Sequence, residues 1–211
     1  INPADTYMRG GSYALMPVLP YTPGGDAAGI VSDVGEGVTG FSVGDRVFTG
    51  TAVGFNMTGC YAEKVRRPAE DVMKVPDSVS FAQAACLGIP YATAHYALFA
   101  RGGSVANETV CIHGASGSVG TAAIQLAKRA GARVIGSAGS DEKGEWITAT
   151  LGADAFINYK TDDLAARLAD FAPNGLNGYF DNVGGGHLEA ALEAMAPMGR
   201  IALCGAVELY D

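Results

Sequence analysis

The residues best suited to chemistry form a glycine-rich segment in the middle of the chain. Val110–Gly120 has the sequence VCIHGASGSVG, and the residues that follow are TAAIQLA. The short apolar run predicts a buried parallel strand, and the apolar spacing after it predicts a helix. A tight turn between the two directs backbone N–H groups and a helix N-terminus at one point, where a pyrophosphate can bind. The segment therefore predicts a dinucleotide site.

The glycine pattern is a variant of G-x-G-x-x-G. Counting back from Gly117 and Gly120, the first glycine position holds Ala115, so the pattern is A-x-G-x-x-G. A glycine turn alone is a weak signal, but the preceding strand, the following helix and the further strand candidates strengthen it. The diphosphate contacts are expected from Ala115, Ser116, Gly117, Ser118, Val119 and Gly120. The alternative is a tight helix-entry turn that holds no ligand.

The end of the second predicted strand bears on which dinucleotide binds. Proteins that prefer NAD usually place a carboxylate there, which accepts hydrogen bonds from the ribose hydroxyls. Here residues 137–140 are Ser-Ala-Gly-Ser, and Lys143 follows within one helical turn. The missing carboxylate and the nearby ammonium favour a 2′-phosphate, hence NADPH. In the alternative, Ser140 only caps the helix, Lys143 is solvated, and Asp141 and Glu142 lower the local positive potential.

The pattern of elements changes near residue 100. Before it, short apolar pieces such as 33–38 and 41–47, broken by Gly and Asp, are typical of a small antiparallel barrel. After it, strand and helix patterns alternate, which predicts a doubly wound parallel sheet. The strand candidates are Thr109–His113, Arg133–Ser137, Ala155–Ile157, Gly178–Asp181 and Arg200–Cys204, and the helix candidates are 118–130, 141–151, 162–171 and 187–196. The sequence thus predicts an α/β protein with a barrel domain at 1–100 and a nucleotide-binding domain at 101–211.

Composition narrows the classes of function. Of the 211 residues 48% are hydrophobic, which is ample for a packed core, and the formal net charge of -8 makes nucleic acid an unlikely partner. No apolar stretch has membrane-spanning length, and no secretory signal pattern is present. The four cysteines form no C-x-x-C pair, which favours reduced thiols in a cytoplasmic protein.

Motifs in both halves of the chain resemble the zinc-free quinone and enone reductases of the medium-chain dehydrogenase/reductase superfamily. In the first half, those similar to NADPH quinone reductases of the zeta-crystallin type are Asn2–Arg9, Leu19–Asp26, Gly88–Ala94 and His113–Gly117. In the second half, those more similar to the double-bond reductases are Gly136–Lys143, Phe180–Gly185 and Arg200–Ala206. The resemblance implies a GroES-like barrel and a Rossmann sheet. It also implies that the barrel's opening strands and the sheet's sixth strand, which makes the contact of a homodimer, lie outside this chain.

The resemblance assigns cofactor roles to individual residues. Lys143 and Tyr159 match the pair that holds the 2′-phosphate in the double-bond reductases, which supports NADPH. Asn182 matches a residue near the nicotinamide ribose, Thr93 one that faces the nicotinamide, and Tyr210 one near the cofactor. Taken without the resemblance, Tyr159 is a strand-end aromatic, Asn182 a turn-forming asparagine, and Thr93 a packed helical threonine.

The zinc ligands of the wider superfamily are missing from the sequence. Zinc alcohol dehydrogenases carry Gly-His-Glu where this chain has Gly-Gly-Asp at 24–26, and there is no closely spaced four-cysteine run. The histidines at 95, 113 and 187 are scattered along the chain, and neutral structural roles are expected for them. Without a metal Lewis acid, no group acidifies or polarises an alcohol hydroxyl, so alcohol oxidation is disfavoured. Reduction of an electrophilic quinone or α,β-unsaturated carbonyl is the better match.

Hydride addition to such a substrate builds negative charge on the carbonyl oxygen, which a hydrogen-bond donor stabilises. Tyr7 is the candidate donor and Asn2 an orienting amide, because the resemblance places their segment along the quinone-reductase cleft. In the alternative, Tyr7 is an aromatic wall of an apolar pocket. Tyr61 is expected in the barrel core. Three functions remain open: an NADPH quinone reductase, an enone double-bond reductase, and a non-catalytic NADPH-binding protein like the lens crystallins.

Overall fold

The computed structural model describes residues 1–13, 16–50, 58–103 and 106–207. They form two compact units, Ile1–Ile89 and Pro90–Asp211. The boundary between these units lies earlier in the chain than the boundary between the functional domains expected at 1–100 and 101–211. Each unit contains its own sheet.

The first unit holds a three-stranded antiparallel sheet in the order β1-β2-β3. Its strands are β1 (Ala27–Ile30), β2 (Arg46–Thr49) and β3 (Val72–Lys74), and its helices are α1 (Pro3–Gly10) and α2 (Phe81–Ala84), with a 3₁₀ turn at Ala69–Asp71. Proline suits the first position of α1 because its fixed φ matches a helix and its missing N–H is not needed there. Asn2 is the N-cap, so α1 carries the segment that includes Tyr7.

The prediction of strand-like structure at 33–38 and 41–47 is largely wrong. Residues 33–38 form a loop with a turn at Glu36 and Gly37, and only Arg46 and Val47 of the second piece lie in a strand. The apolar residues there are too few and too often interrupted by glycine to hold an extended ladder. The antiparallel pairing that those pieces suggested is carried by β1, β2 and β3 instead.

Helix α3 (Gly88–His95) crosses the division between the units and is followed by a π-helical segment, Tyr96–Arg101. The second unit then alternates strands and helices. The strands are β4 (Thr109–Ile112), β5 (Arg133–Ala138), β6 (Ala155–Asn158), β7 (Leu176–Asp181) and β8 (Met195–Leu203). The helices are α4 (Ser118–Arg129), α5 (Asp141–Ala149), α6 (Leu164–Phe171) and α7 (Gly185–Glu193).

The sheet of the second unit is parallel throughout, in the order β6-β5-β4-β7-β8, which confirms the predicted doubly wound class. Strand β4 lies between β5 and β7, so the chain winds outward from it in both directions. In such sheets ligands bind beyond the carboxyl ends of the strands at this switch point. A ligand is therefore expected to bind at the residues that follow β4.

Both faces of this sheet are covered, as its continuous apolar runs predict. Along β4, Val110 and Ile112 belong to one buried cluster, whereas Cys111 belongs to the other. The alternation follows from the two-residue period of a strand. Ile124 of α4 packs in the first cluster and Leu168 of α6 in the second. Helices thus pack on both faces of this sheet.

Candidate dinucleotide site

Residues 114–120, here called the glycine loop, comprise the turn after β4 and the first three residues of α4. Gly114 has a φ of +64°, in the left-handed region that favours glycine. A Cβ on Gly120 would lie 2.3 Å from the Gly114 carbonyl oxygen, so only glycine lets the first turn of α4 approach the loop this closely. Ala115 is fully buried and its N–H donates to the Ser137 carbonyl at 2.9 Å. The first glycine position of the motif holds Ala115. The left-handed backbone that a glycine there would suit is found one residue earlier, at Gly114.

Helix α4 begins without a side-chain cap, because its N-cap residue is Gly117. Helix α5, in contrast, is capped by the Ser140 hydroxyl. The amides of Ser118, Val119 and Gly120 are in the first turn, where a helix provides no intrahelical acceptor for N–H groups. These donors and the helix dipole suit a diphosphate. Ser116 is half-buried at the tip of the same loop.

Asn182 lies beside the glycine loop and is held there by two neighbours. Its Nδ2 donates to the His113 carbonyl oxygen at 2.7 Å. The turn around it is formed by Asp181, whose Oδ1 accepts the N–H groups of Val183 and Gly184, each at 2.9 Å. The turn-forming role considered for Asn182 therefore belongs to Asp181, and the Asn182 amide bridges β7 to the residue before the loop.

The structure brings Tyr159 and Ser140 to the C-terminal end of β5. A Cβ on Gly139 would lie 2.7 Å from the Tyr159 hydroxyl oxygen, so this phenol covers the glycine. Ser140 Oγ accepts the Lys143 N–H at 3.4 Å, as in the capping alternative. A serine hydroxyl that accepts one bond still has its own hydrogen to donate. Lys143 is exposed on the first turn of α5.

A cluster of rings that the sequence did not reveal supports Tyr159. The His113 and His187 ring centroids are 4.0 Å apart, and Tyr159 lies 5.6 Å from the first and 5.1 Å from the second, edge-on. Nδ1 of His113 forms a short hydrogen bond with the Ser137 hydroxyl. Burial, and secondarily His187, lowers the pKa of His113 to about 3, so its imidazole is neutral. Two of the histidines that are scattered in sequence thus meet in space.

Two further cofactor residues were expected at positions 93 and 210. Thr93 is half-buried on α3. Tyr210 lies outside the described residues. Their assignments remain predictions.

In the first unit, Asn2 is buried and its orientation is determined by acids. Its Nδ2 donates to Asp26 Oδ2 at 2.8 Å, and its backbone N–H donates to Asp5 Oδ2 at 2.8 Å. Asp26 Oδ1 accepts the Ile89 N–H at 2.9 Å, which anchors the carboxylate. Sequence reasoning missed Asp26 as the residue that orients this amide.

Tyr7 and Tyr61 occupy different surroundings. Tyr7 is half-buried on α1, and its ring stacks on that of Tyr13 with centroids 6.5 Å apart and planes at 24°. Tyr61 is 46% exposed, so the expectation of a core position is wrong. Its hydroxyl donates to Asp5 Oδ2 at 3.2 Å, because the buried end of α1 offers a carboxylate to a nearby phenol. Partial burial, and then Asp5, raises the pKa of Tyr61.

The described ranges contain neither a cluster of metal-ligating side chains nor a membrane-spanning helix. In residues 1–13, 16–50, 58–103 and 106–207, no three His, Cys, Asp or Glu side chains come together as metal ligands would. Across the same part of the chain, no helix is long and apolar enough to cross a bilayer.

Family models match both parts of the chain. The alcohol dehydrogenase GroES-like domain matches residues 1–77, and the zinc-binding dehydrogenase model matches residues 118–210. These matches confirm the expected order of a GroES-like unit followed by a nucleotide-binding sheet.

Known proteins are similar over nearly the whole chain. Human quinone oxidoreductase is 36% identical over 206 residues, which are 97% of this chain and 61% of that protein. The crystal structure of Escherichia coli quinone oxidoreductase complexed with NADPH has a TM-score of 0.82 and 34% identity, covering 98% of this chain and 63% of that one. A crystal structure of an NAD-dependent alcohol dehydrogenase has a TM-score of 0.88 and 30% identity, covering 100% of this chain and 69% of that one. The chain therefore spans about 61% of the length of the mammalian quinone oxidoreductases it matches.

Proposed function

The chain belongs to the medium-chain dehydrogenase/reductase superfamily, and from this we propose that the protein reduces quinones by hydride transfer from NADPH. The observation that carries the proposal is the glycine loop, where Gly120 admits a close approach and α4 offers uncapped N–H donors. The relatives support it, since similar proteins are named quinone oxidoreductases and one was crystallised with NADPH.

Each part of the cofactor has candidate partners in the second unit. The amides at the start of α4 bind the diphosphate. Ser140, Lys143 and the Tyr159 hydroxyl contact the 2′-phosphate at the end of β5. Asn182, fixed by the His113 carbonyl, contacts the nicotinamide ribose. Thr93 and Tyr210 complete the proposed set. Bound NADPH supplies the hydride.

The first unit provides the candidate groups for the substrate. The Tyr7 phenol donates a hydrogen bond to the quinone oxygen on which negative charge develops, which lowers the barrier to hydride addition. Asn2 orients the substrate through an amide that Asp26 holds in one orientation. In this mechanism the protein contributes by positioning the cofactor and the substrate and by excluding water.

A cofactor titration followed by a turnover assay tests the proposal. Fluorescence titration of the chain with NADPH and NADH should give at least about tenfold tighter binding of NADPH, the effect of one charge-assisted hydrogen bond. The same protein should then oxidise NADPH with a benzoquinone faster than with an alkenone. Equal affinity for NADH would overturn the cofactor assignment. Preference for the alkenone would indicate a double-bond reductase, and tight NADPH binding without oxidation would indicate a binding protein.

We also propose a cytoplasmic location and a homodimeric full-length protein with small-molecule substrates. The four cysteines are free thiols, which suits a reducing compartment. The dimer rests on the family resemblance, which places the dimer contact on a sixth strand of this sheet. Sedimentation of the full-length protein checks the dimer, and a monomer at micromolar concentration would contradict it.

A further inference from the structure

A second lysine reaches the end of β5, where only Lys143 was expected. A Cβ on Gly139 would lie 3.3 Å from Cε of Lys160, in addition to its contact with the Tyr159 hydroxyl. The end of this strand is where dinucleotide-binding sheets place the group that meets the ribose 2′ position. The aliphatic part of Lys160 therefore lies across Gly139, and its ammonium is carried to the same edge as the Tyr159 phenol.

The turn that carries Lys160 is fixed by hydrogen bonds to Asn158. The Lys160 N–H donates to Asn158 Oδ1 at 3.2 Å, and the Asp162 N–H donates to the Asn158 carbonyl at 2.8 Å. In return, the Asn158 N–H donates to Asp162 Oδ2 at 3.0 Å. The backbone at Lys160 is thus held on both sides, so little backbone entropy is lost when its side chain binds a ligand.

Asn158 also ties this turn to helix α5. Its Nδ2 donates to Asp141 Oδ1 at 2.8 Å, and the side chain is only 5% exposed. The link sets Lys160 at a fixed position relative to Ser140, the N-cap of α5. It also engages the Asp141 carboxylate, one of the two acids that weigh against a 2′-phosphate in the sequence.

We propose that Lys160 is a specificity-determining residue whose ammonium pairs with the 2′-phosphate of NADPH, and that Asn158 is the residue that positions it. The inference rests on the proposed NADPH function. An ammonium forms an ion pair with a phosphate, whereas a ribose hydroxyl can accept its hydrogen bond but carries no opposite charge. Lys160 therefore contributes to the choice between NADPH and NADH rather than to the affinity for dinucleotides in general.

Binding of two small probes tests the contact without requiring turnover. 2′,5′-ADP carries the 2′-phosphate and 5′-AMP lacks it, and both are titrated calorimetrically into the complete chain. Lys160→Gln should weaken 2′,5′-ADP about tenfold and change 5′-AMP less than about twofold, and added salt should reduce the difference. Lys160→Arg should restore most of the loss. Asn158→Ala, which changes no charge, should also weaken 2′,5′-ADP, with circular dichroism confirming that it is folded.

A matched control separates the local contact from the general field. Lys64→Gln removes the same charge from an exposed lysine of the first unit and should leave both probes unchanged. If the wild-type chain fails to prefer 2′,5′-ADP over 5′-AMP, the proposed NADPH function itself fails. If the wild-type chain has the preference and Lys160→Gln keeps it, or Lys64→Gln loses as much, the inference about Lys160 is overturned while the proposed function stands.

Discussion

Among individual side chains, His113 contacts several residues that hold the candidate dinucleotide site in place. It directly follows β4, its carbonyl fixes Asn182, and its ring contacts both the Ser137 hydroxyl and the ring of His187. Burial, and then His187, lowers its pKa to about 3, whereas a histidine in an unfolded chain titrates near 6.5. The folded state therefore excludes a proton that the unfolded state accepts.

Acidification should consequently destabilise the second unit through this residue. Between the two pKa values the unfolded chain binds more protons, so the free energy of unfolding falls as the pH falls below about 6.5. At pH 5.5 the loss is about 1.4 kcal/mol relative to pH 7.5. His113→Asn, which keeps a polar group near Ser137 without a titration, should lose this part of the dependence in denaturant unfolding. His95→Asn is the control, because His95 is exposed. An unchanged dependence in His113→Asn would refute the assignment.

The Tyr7 phenol is the second side chain whose role a single substitution decides. Tyr7→Phe should lower quinone turnover by about tenfold or more, because it removes the donor to the developing oxyanion. NADPH affinity should stay the same, since the cofactor contacts proposed here lie elsewhere. Tyr13→Phe removes the hydroxyl of the stacked neighbour and should leave turnover unchanged. Full activity in Tyr7→Phe would make Tyr7 a wall of the pocket.

At the level of helices and strands, the approach of α4 to the glycine loop is the feature most sensitive to change. A Cβ at Gly120 would lie 2.7 Å from the Ala115 Cα as well as 2.3 Å from the Gly114 oxygen, and both neighbours are backbone. No rotamer change can relieve such contacts. The helix must move away, and its N–H donors move with it.

Gly120→Ala should therefore cost both stability and cofactor affinity. Overpacking of this kind destabilises by about 1–3 kcal/mol, and displaced donors should weaken NADPH at least about tenfold. Gly186→Ala is a matched control within helix α7, where an added Cβ meets no atom of the described residues within 4 Å. It should bind NADPH normally and unfold at the same or a higher denaturant concentration. Normal NADPH binding by a folded Gly120→Ala would contradict a diphosphate at this turn.

The sequence predicts the second unit better than the first for a physical reason. Strands of a parallel sheet are buried on both faces, so β4 and β5 appear as continuous apolar runs, and the helices between them have clear periodicity. The pieces at 33–38 and 41–47 lack such a pattern, and pairing there depends on β3, which lies distant in sequence. The glycine loop is local and was predictable. The ring cluster and the contact of Lys160 with Gly139 join residues that follow different strands or lie on α7, and the spacing along the sequence does not encode such contacts.

For the chain as a whole, the chemistry is divided between units that each have their own sheet. The groups proposed for the cofactor belong to Pro90–Asp211, and those proposed for the substrate belong to Ile1–Ile89. Ligands that bind only the folded state stabilise it in proportion to the logarithm of their concentration over Kd. The two ligands should therefore leave separate signatures along the chain.

Hydrogen exchange resolves those signatures. NADPH at about one hundred times its Kd should stabilise the second unit by about 2.7 kcal/mol and slow exchange at residues 115–120 and 139–143. Helix α1 should respond only when a quinone analogue is added to the NADPH complex, because its Tyr7 is proposed to contact the substrate alone. NADH at the same concentration serves as the control and should protect less. Slowed exchange in β1–β3 with NADPH alone, and none at 115–120, would show that the dinucleotide binds somewhere other than the glycine loop.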